Sequence, residues 1–340
     1  MRARGISYDT GFVLHGSIGH PGFDPERVRR EMAVIRDELH CNAVRVMGGD
    51  PARLEVAARI AAGLGLEVWF SPYPLELDED EILTLFADCA ARAERIRRTG
   101  AEVVFVAGAE LSLMNPGFLP GATIDERISA LRADLAGQIT QITAKIRAFL
   151  AEAVKTIRTS FQGPITYASV PFERVDWDLF DIVSIDLYRS AEVAGRFAGD
   201  VRELVRTQPK PIAITEFGAA GFRGAGDRGA NGLEIVEYDR ATREPLRLTG
   251  VFERDEPGQA TYLRELIEIF DEAGVDATFV FTFALRDHPH RPAGDPRDDL
   301  DLASYGIVKV LEEPGREWEP KAAFHTLADA YGDALRSPVA

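Results

Sequence analysis

The chain of 340 residues has 46% hydrophobic and 28% charged residues, a balance typical of a globular protein with a sizeable core. Its formal net charge of −16 argues against nucleic acid and anionic membranes as partners, because both would repel it. No apolar run approaches the ~20 residues that span a bilayer, and the basic N-terminus lacks the apolar segment of a secretory signal. The two cysteines, Cys41 and Cys89, form neither a disulfide framework nor a metal motif. These features predict reduced core thiols and a cytoplasmic location.

Strands and helices are predicted to alternate along the chain. The predicted strands are Gly5–Asp9, Asn42–Met47, Leu66–Ser71, Val103–Glu110, Gly163–Val170, Asp181–Tyr188, Ile212–Thr215 and Ala277–Phe283. One helix is capped by Asp24 before Pro25, and the others span Asp50–Gly65, Asp78–Thr99, Thr123–Thr159 with an interruption near Gly137, Asp200–Thr207, Gln259–Ala273 and Pro320–Tyr331. The connection between strands five and six is too short for more than a turn or two of helix.

Most predicted strands are near-continuous apolar runs, which is the pattern of a parallel sheet buried on both faces. Eight alternations favour a closed (β/α)8 barrel over a doubly wound sheet. No strand is followed by the glycine fingerprint of a dinucleotide-binding fold. We therefore predict an α/β fold with a single (β/α)8 TIM barrel over residues 1–340, and an inserted loop at about 222–255 after strand seven.

Two glutamates stand at the ends of predicted strands in the same way. Glu216 follows the buried strand Ile212–Thr215, and Glu110 follows an apolar run and small residues on strand four. Ionised carboxylates avoid dry interiors, whereas the carboxyl ends of barrel strands supply catalytic residues. Glycoside hydrolysis needs one carboxylic acid and one carboxylate, which this pair provides. The alternative for Glu216 is a glutamate that caps a loop or pairs with a nearby arginine.

Glutamates at the ends of strands four and seven of an eight-fold barrel resemble those of glycoside hydrolase clan A, whose members are retaining glycosidases. The resemblance implies that Glu110 is the general acid/base and Glu216 the nucleophile. It also implies that Arg45 on strand two lies near the nucleophile and that Tyr188, ending strand six, hydrogen-bonds it. The segment Trp318–Phe324 is similar to the ending of several clan members.

The chain departs from the clan pattern at two places. Many members carry an asparagine, which binds the sugar 2-hydroxyl, immediately before the acid/base; here the residue is Ala109. The motif Gly108–Leu111 is similar to the Gly-Thr-Glu-Leu of a group of β-mannanases that lack this asparagine. On strand eight, Phe281 and Phe283 stand where the clan usually has a tryptophan platform. These changes leave the reaction class in place and the substrate open.

Further residues at strand ends are candidates for sugar contacts. Tyr73 and Trp69 could stack on apolar sugar faces, although Trp69 is equally well interpreted as core. Phe283 is the candidate platform on strand eight. Asp9 and Asp186 could bind hydroxyl groups, and the alternative for both is a structural salt bridge.

The loop after strand eight contains a set of titratable residues, namely Asp287, His288, His290, Asp298, Asp299 and Asp301. Their spacing matches no metal motif, so a solvated acidic loop is favoured over a divalent-cation site. We predict neither a metal nor an organic cofactor.

The predicted function is that of a retaining glycoside hydrolase acting on β-linked oligosaccharides or glycoconjugates, with a carbohydrate substrate as its partner. The alternative is a catalytically silent TIM barrel that binds carbohydrate or a protein partner, and Ala109 and the missing tryptophan support it. A metal-dependent barrel enzyme would need histidines in the barrel strands, where the sequence has none. The sugar, the linkage, the choice between endo and exo action and the oligomeric state are left open.

Overall fold

Eight parallel strands form the centre of the computed structural model, which describes residues 1–20, 22–239, 242–313 and 315–336. These strands are β1 Ala3–Asp9, β2 Ala43–Gly48, β3 Glu67–Pro72, β4 Val103–Ala109, β5 Ile165–Ala168, β6 Val183–Asp186, β7 Ile212–Phe217 and β8 Ala277–Val280. They are hydrogen-bonded in the order β5-β4-β3-β2-β1-β8-β7-β6. Ser169 and Ile185 form a parallel bridge between the two outermost strands, β5 and β6. The predicted (β/α)8 barrel is confirmed.

Helices surround the strands. They are α1 Pro25–Asp37, α2 Pro51–Gly63, α3 Glu79–Arg97, α4 Ile124–Ala133, α5 Leu135–Arg158, α6 Ala194–Thr207, α7 Glu256–Ala273 and α8 Ala322–Arg336. Asp24 and Asp50 accept hydrogen bonds from the first backbone N–H groups of α1 and α2, each with proline in the first turn. These caps satisfy donors that have no partner within the helix. Two short 3₁₀ turns, Pro171–Glu173 and Trp177–Leu179, take the place of a helix between β5 and β6.

Some element boundaries differ from the predicted ones. The helix predicted over Thr123–Thr159 is broken at Asp134 rather than near Gly137. The Asp134 carboxylate accepts a hydrogen bond from the Gly137 N–H at 2.9 Å and thereby caps α5. Strand β8 ends at Val280, three residues early, and the chain continues through a cis peptide bond between Phe281 and Thr282.

The barrel has an inner and an outer core. The inner core lies inside the barrel and includes Ala43, Trp69, Val104, Ala213 and Phe279. The outer core lies between strands and helices, and both cysteines are buried there as free thiols. Because strand residues alternate between the two faces, every second residue points inward. Inward-pointing residues near the carboxyl ends of the strands therefore meet at one mouth of the barrel.

The insertion after β7 has its own small core. Its described residues form a helical turn at Ala225–Arg228, a 3₁₀ segment at Gly229–Ile235 and an antiparallel pair of strands, Val236–Tyr238 and Pro245–Leu248. Residues 240 and 241, within the predicted loop, lie outside the described residues. Phe222, Ile235 and Leu248 pack with Leu302 and Tyr305 of the segment after β8. The insertion is thus packed on the barrel.

Within the described part of the chain, none of the helices is both long and apolar enough to cross a membrane.

Candidate active site

Glu110 lies at the mouth of the barrel, directly after β4. Its backbone is left-handed, with φ 46° and ψ 38°, a conformation uncommon for any residue but glycine. Neighbours hold this turn: the Glu110 N–H donates to the Ala168 carbonyl at 2.9 Å, and the Leu111 N–H donates to the Tyr167 hydroxyl at 2.8 Å. Burial raises the pKa of Glu110 well above its usual value, and the charges of Asp186 and Glu216 add to this effect. Glu110 is therefore suited to carry a proton.

A buried carboxylate that sequence reasoning missed supports the same turn. Glu173, which is fully buried, accepts hydrogen bonds from the Ser112 hydroxyl at 2.7 Å and N–H at 3.1 Å and from the Tyr167 hydroxyl at 2.9 Å. Burial raises the pKa of Glu173 to about 7, and these hydrogen bonds oppose the rise. The sequence carries no signal for this role, because a glutamate in a short connection is usually solvated.

Glu216 lies near the end of β7, where the pairing with β6 shifts by one residue. Its side chain is 12% exposed. One carboxylate oxygen accepts a hydrogen bond from the Tyr188 hydroxyl at 2.7 Å, and the other lies 3.5 Å from Nη1 of Arg45. The structure thus brings Arg45 and Tyr188 to Glu216, as the resemblance implies.

Arg45 is fully buried inside the barrel, below Glu216. Its Nη1 donates to the Thr215 carbonyl at 2.9 Å, and its Nε donates to the Ser71 hydroxyl at 3.2 Å. Nη1 also lies 3.7 Å from Asp186. A buried cation is costly unless carboxylates and hydrogen bonds compensate it, so Arg45 requires the two acidic residues beside it.

The position of Asp186 favours the structural salt bridge over a contact with sugar hydroxyls. Its side chain is fully buried, and the shifted pairing places it beside Glu216. Neither carboxylate oxygen has a well-formed hydrogen bond among the described residues. Asp186 shares the Arg45 guanidinium with Glu216, which makes it a buried member of the charged cluster.

The cluster contains three carboxylates, those of Glu110, Asp186 and Glu216, around one guanidinium. Burial raises the pKa of Glu216 to about 7, and the charge of Asp186 adds to the rise. Arg45 and the Tyr188 hydroxyl lower this pKa but do not outweigh the first two effects. The expected contacts to Glu216 are present, but they do not bring its pKa down to its ordinary value.

The two aromatic candidates on and directly after β3 have different surroundings. Tyr73 is 8% exposed, and the charges of Glu110 and Glu216 contribute to raising its pKa after burial. Its ring packs edge-on against Phe12, with 5.0 Å between centroids. Trp69 is fully buried and donates its indole N–H to Glu67 at 2.8 Å, below the mouth. Both rings belong to the inner core, with Tyr73 close enough to the two glutamates to be affected by their charges.

Phe283 is wrongly placed for a sugar platform. It is 1% exposed and packs edge-on against Trp318 at 5.4 Å in the outer core. Because β8 ends at Val280, simple strand alternation does not extend to this residue. Phe281 is the half-buried ring at this rim, 5.8 Å from Tyr305, which in turn lies 5.9 Å from Tyr188.

Asp9 ends β1 at the mouth of the barrel and is half-buried. It accepts a hydrogen bond from the Gly11 N–H at 2.7 Å. Burial raises the pKa of Asp9 to about 7; the charge of Asp287 adds to the rise, and Arg286 and Arg53 oppose it. This position is compatible with a contact to substrate.

Two aspartates of the acidic loop after β8, Asp299 and Asp301, are buried rather than solvated as predicted, whereas Asp287 is exposed. Arg254 binds Asp299 at 2.9 Å and Asp301 at 2.7 Å, and fully buried Lys321 lies 2.8 Å from Asp301. His290 Nδ1 lies 2.9 Å from Asp299. Asp301 compensates the buried Lys321, and both aspartates pair with the half-buried Arg254, so they join the insertion to the residue that precedes α8. The described ranges of the chain hold no group of three or more His, Cys, Asp or Glu residues that could bind a metal ion.

Solved structures of glycoside hydrolases are similar to the whole chain. A GH113 β-1,4-mannanase complex has a TM-score of 0.61 and 15% identity, and the match covers 98% of this chain and 99% of that one. The GH113 β-mannanase of Alicyclobacillus acidocaldarius has a TM-score of 0.57 and 17% identity, with 98% and 97% covered. Thermotoga maritima Cel5A, crystallised with cellobiose, has a TM-score of 0.56 and 14% identity, with 97% and 96% covered.

No protein-family model matches the sequence, and no curated protein does. At identities of 14–17%, the structural neighbours show the fold and leave the activity open. The chain has a TIM-barrel fold like that of clan A glycoside hydrolases.

Proposed function

We propose that the protein is a retaining glycoside hydrolase acting on β-linked oligosaccharides or glycoconjugates. The observation that carries this proposal is the unequal environment of two glutamates at one mouth of the barrel. Glu216 has a tyrosine hydroxyl at 2.7 Å and a guanidinium at 3.5 Å, both of which favour its carboxylate form. Glu110 is half-buried, and its raised pKa favours the acid form. One glutamate is thus fitted to attack and the other to donate a proton.

The proposed reaction has two steps. In the first, the Glu216 carboxylate attacks the anomeric carbon while Glu110 transfers its proton to the glycosidic oxygen, so that the C–O bond breaks and a glycosyl-enzyme forms. In the second, the Glu110 carboxylate takes a proton from water, and the water oxygen displaces Glu216 from the anomeric carbon. Both displacements invert the anomeric centre, so the product keeps the configuration of the substrate.

The surroundings of the pair indicate how a sugar would be held. Tyr73 lies within electrostatic range of both glutamates, Phe281 is half-buried directly after β8, and Asp9 ends β1. Buried Ala109 supplies no amide for the sugar 2-hydroxyl. Two structural neighbours are β-mannanases by name, and the motif Gly108–Leu111 is similar to that of a group of β-mannanases. β-Mannosides are therefore the first substrates to try.

The test is a panel of nitrophenyl β-glycosides and β-linked oligosaccharides, with the anomeric configuration of the first product followed by proton NMR. The proposal expects turnover of at least one β-glycoside with retained configuration; an inverted product would contradict it. A silent barrel that binds carbohydrate or a protein partner is the second candidate, favoured by Ala109. It expects sugar binding in calorimetry without turnover of any substrate. The cytoplasmic location and the independence from cofactors stay predictions.

A further inference from the structure

Residues 229–239 and 242–248 of the insertion are attached to the nucleophile side of the mouth. We call this segment the bridge. The Tyr305 hydroxyl donates to the Gly229 carbonyl at 2.7 Å and accepts from the Gly232 N–H at 2.8 Å. The Tyr305 ring lies 5.9 Å from that of Tyr188, which binds Glu216. The bridge therefore begins beside the proposed nucleophile.

The bridge also contacts α4, which follows the strand of the proposed acid/base. Glu234 pairs with Arg132, and Arg243 pairs with Asp125. These two pairs are here called the latch. Helix α4 is itself firmly held, because the fully buried Arg127 donates to the Leu113 carbonyl at 2.7 Å and to Glu76 at 2.6 Å. The latch thus connects the bridge to a rigid part of the β4 rim.

A third set of contacts places the bridge on the β8 rim. The Tyr238 ring packs edge-on against His288 of the loop after β8, with 6.5 Å between centroids. The Arg243 guanidinium stacks over the same Tyr238 ring at 5.2 Å. Since Arg243 pairs with Asp125 of α4, a continuous line of side chains joins the β8 rim to the β4 rim. In the strand order of this barrel, β4 and β8 lie opposite each other.

We infer that the bridge covers the half of the mouth above β5–β7 and leaves the half above β1–β3 as the entrance. A polysaccharide lying in an open groove needs room at both ends, and this site offers room at one. The protein therefore acts on chain ends and short β-glycosides rather than on internal bonds of a polymer. This inference rests on the proposed function and specifies its substrate class.

The experiment compares two readouts, using a short substrate and a polymer that have the same type of glycosidic linkage. Release of nitrophenol from an aryl glycoside measures turnover, and the fall in viscosity per new reducing end of a soluble polymer measures internal cleavage. The wild type should release reducing ends with almost no fall in viscosity. The double variant Arg132→Ala/Arg243→Ala breaks the latch and should raise internal cleavage about fivefold, the scale expected for loss of two exposed ion pairs. Its aryl-glycoside turnover should stay within about twofold of the wild type.

The matched control is Arg206→Ala, which breaks an exposed ion pair with Glu203 on α6 and should leave both readouts unchanged. A wild-type enzyme that cleaves the aryl glycoside and also lowers viscosity as steeply as an endo-acting reference overturns this inference alone. Unchanged products from the double variant also overturn it, if hydrogen exchange shows that residues 229–239 have loosened. Failure to cleave any substrate, short or long, overturns the proposed function and this inference together.

Discussion

The two glutamates at the mouth show how one residue type acquires two roles. The Glu216 side chain is held directly, by the hydroxyl of Tyr188 and the guanidinium of Arg45. Around Glu110 it is the backbone turn that is held, by the Ala168 carbonyl and by Tyr167. A nucleophile needs a fixed carboxylate in its charged form, whereas a proton donor must turn toward the leaving oxygen. The difference lies in what surrounds each glutamate rather than in the strand that presents it.

The largest effect is expected from Glu216→Gln, which removes the nucleophile and keeps the shape of the side chain. Turnover should fall by about 10⁴-fold or more, while calorimetry should show sugar affinity within about threefold of the wild type. Glu203→Gln on the exposed surface of α6 is the control. Comparable turnover in wild type and Glu216→Gln would assign the nucleophile to another group.

Glu110→Ala should separate the two steps of the reaction. With a nitrophenyl leaving group the first step needs little acid assistance, so a burst of nitrophenol should precede a steady rate reduced by about 10²–10⁴-fold. Azide needs no base, so it should restore turnover and give a glycosyl azide of retained configuration. Equal losses on aryl and natural glycosides, with no rescue by azide, would remove Glu110 from this role.

Tyr188→Phe tests how far the hydrogen bond from the Tyr188 hydroxyl stabilises the Glu216 carboxylate. It removes a hydrogen bond to a charged group, so kcat/KM should fall by about tenfold. Because that hydrogen bond lowers the pKa of Glu216, its loss should move the acidic limb of the pH profile to higher pH. Tyr331→Phe is the control, since its hydroxyl donates to the Gly5 carbonyl, far from the mouth. A pH profile like that of the wild type would mean that the hydroxyl has only a structural role.

The smallest effect is expected from Asp186→Asn. The negative charge of Asp186 raises the pKa of both Glu110 and Glu216. Its removal lowers both values, so both limbs of the kcat/KM profile should move to lower pH by about one unit. Asp200→Asn on the surface of α6 should leave the profile in place. Movement of one limb only would show that Asp186 interacts with one glutamate alone.

The sequence alone predicted the features that depend on local chemistry. Asp-Pro pairs predicted the starts of α1 and α2, and apolar runs predicted the buried strands. Since parallel strands bring their carboxyl ends together, Glu110 and Glu216 could be assigned to one mouth. The resemblance to clan A added Arg45 and Tyr188, whose contacts with Glu216 the structure contains.

Features that depend on register or on distant partners were beyond sequence reasoning. A one-residue shift in the β6–β7 pairing sets Asp186 opposite Glu216, and the strand sequences do not show where such a shift occurs. The early end of β8 sends Phe283 to the outer core. Asp301 was interpreted as solvated because its partner Arg254 lies 47 residues away in the chain. The sequence does not show which residues that are far apart in the chain lie close together in the fold.

The Arg254 cluster has a consequence for any attempt to shorten the loop after β7. Deletion of the insertion would remove the cation that binds Asp299 and Asp301 and would leave Lys321 to compensate Asp301 alone. Breaking a buried ion pair by removing one partner costs about 3–5 kcal/mol, a large share of the stability of an ordinary domain. Shortening this loop should therefore lower the free energy of unfolding of the whole barrel, unless Asp299, Asp301 and Lys321 are replaced by neutral residues in the same variant.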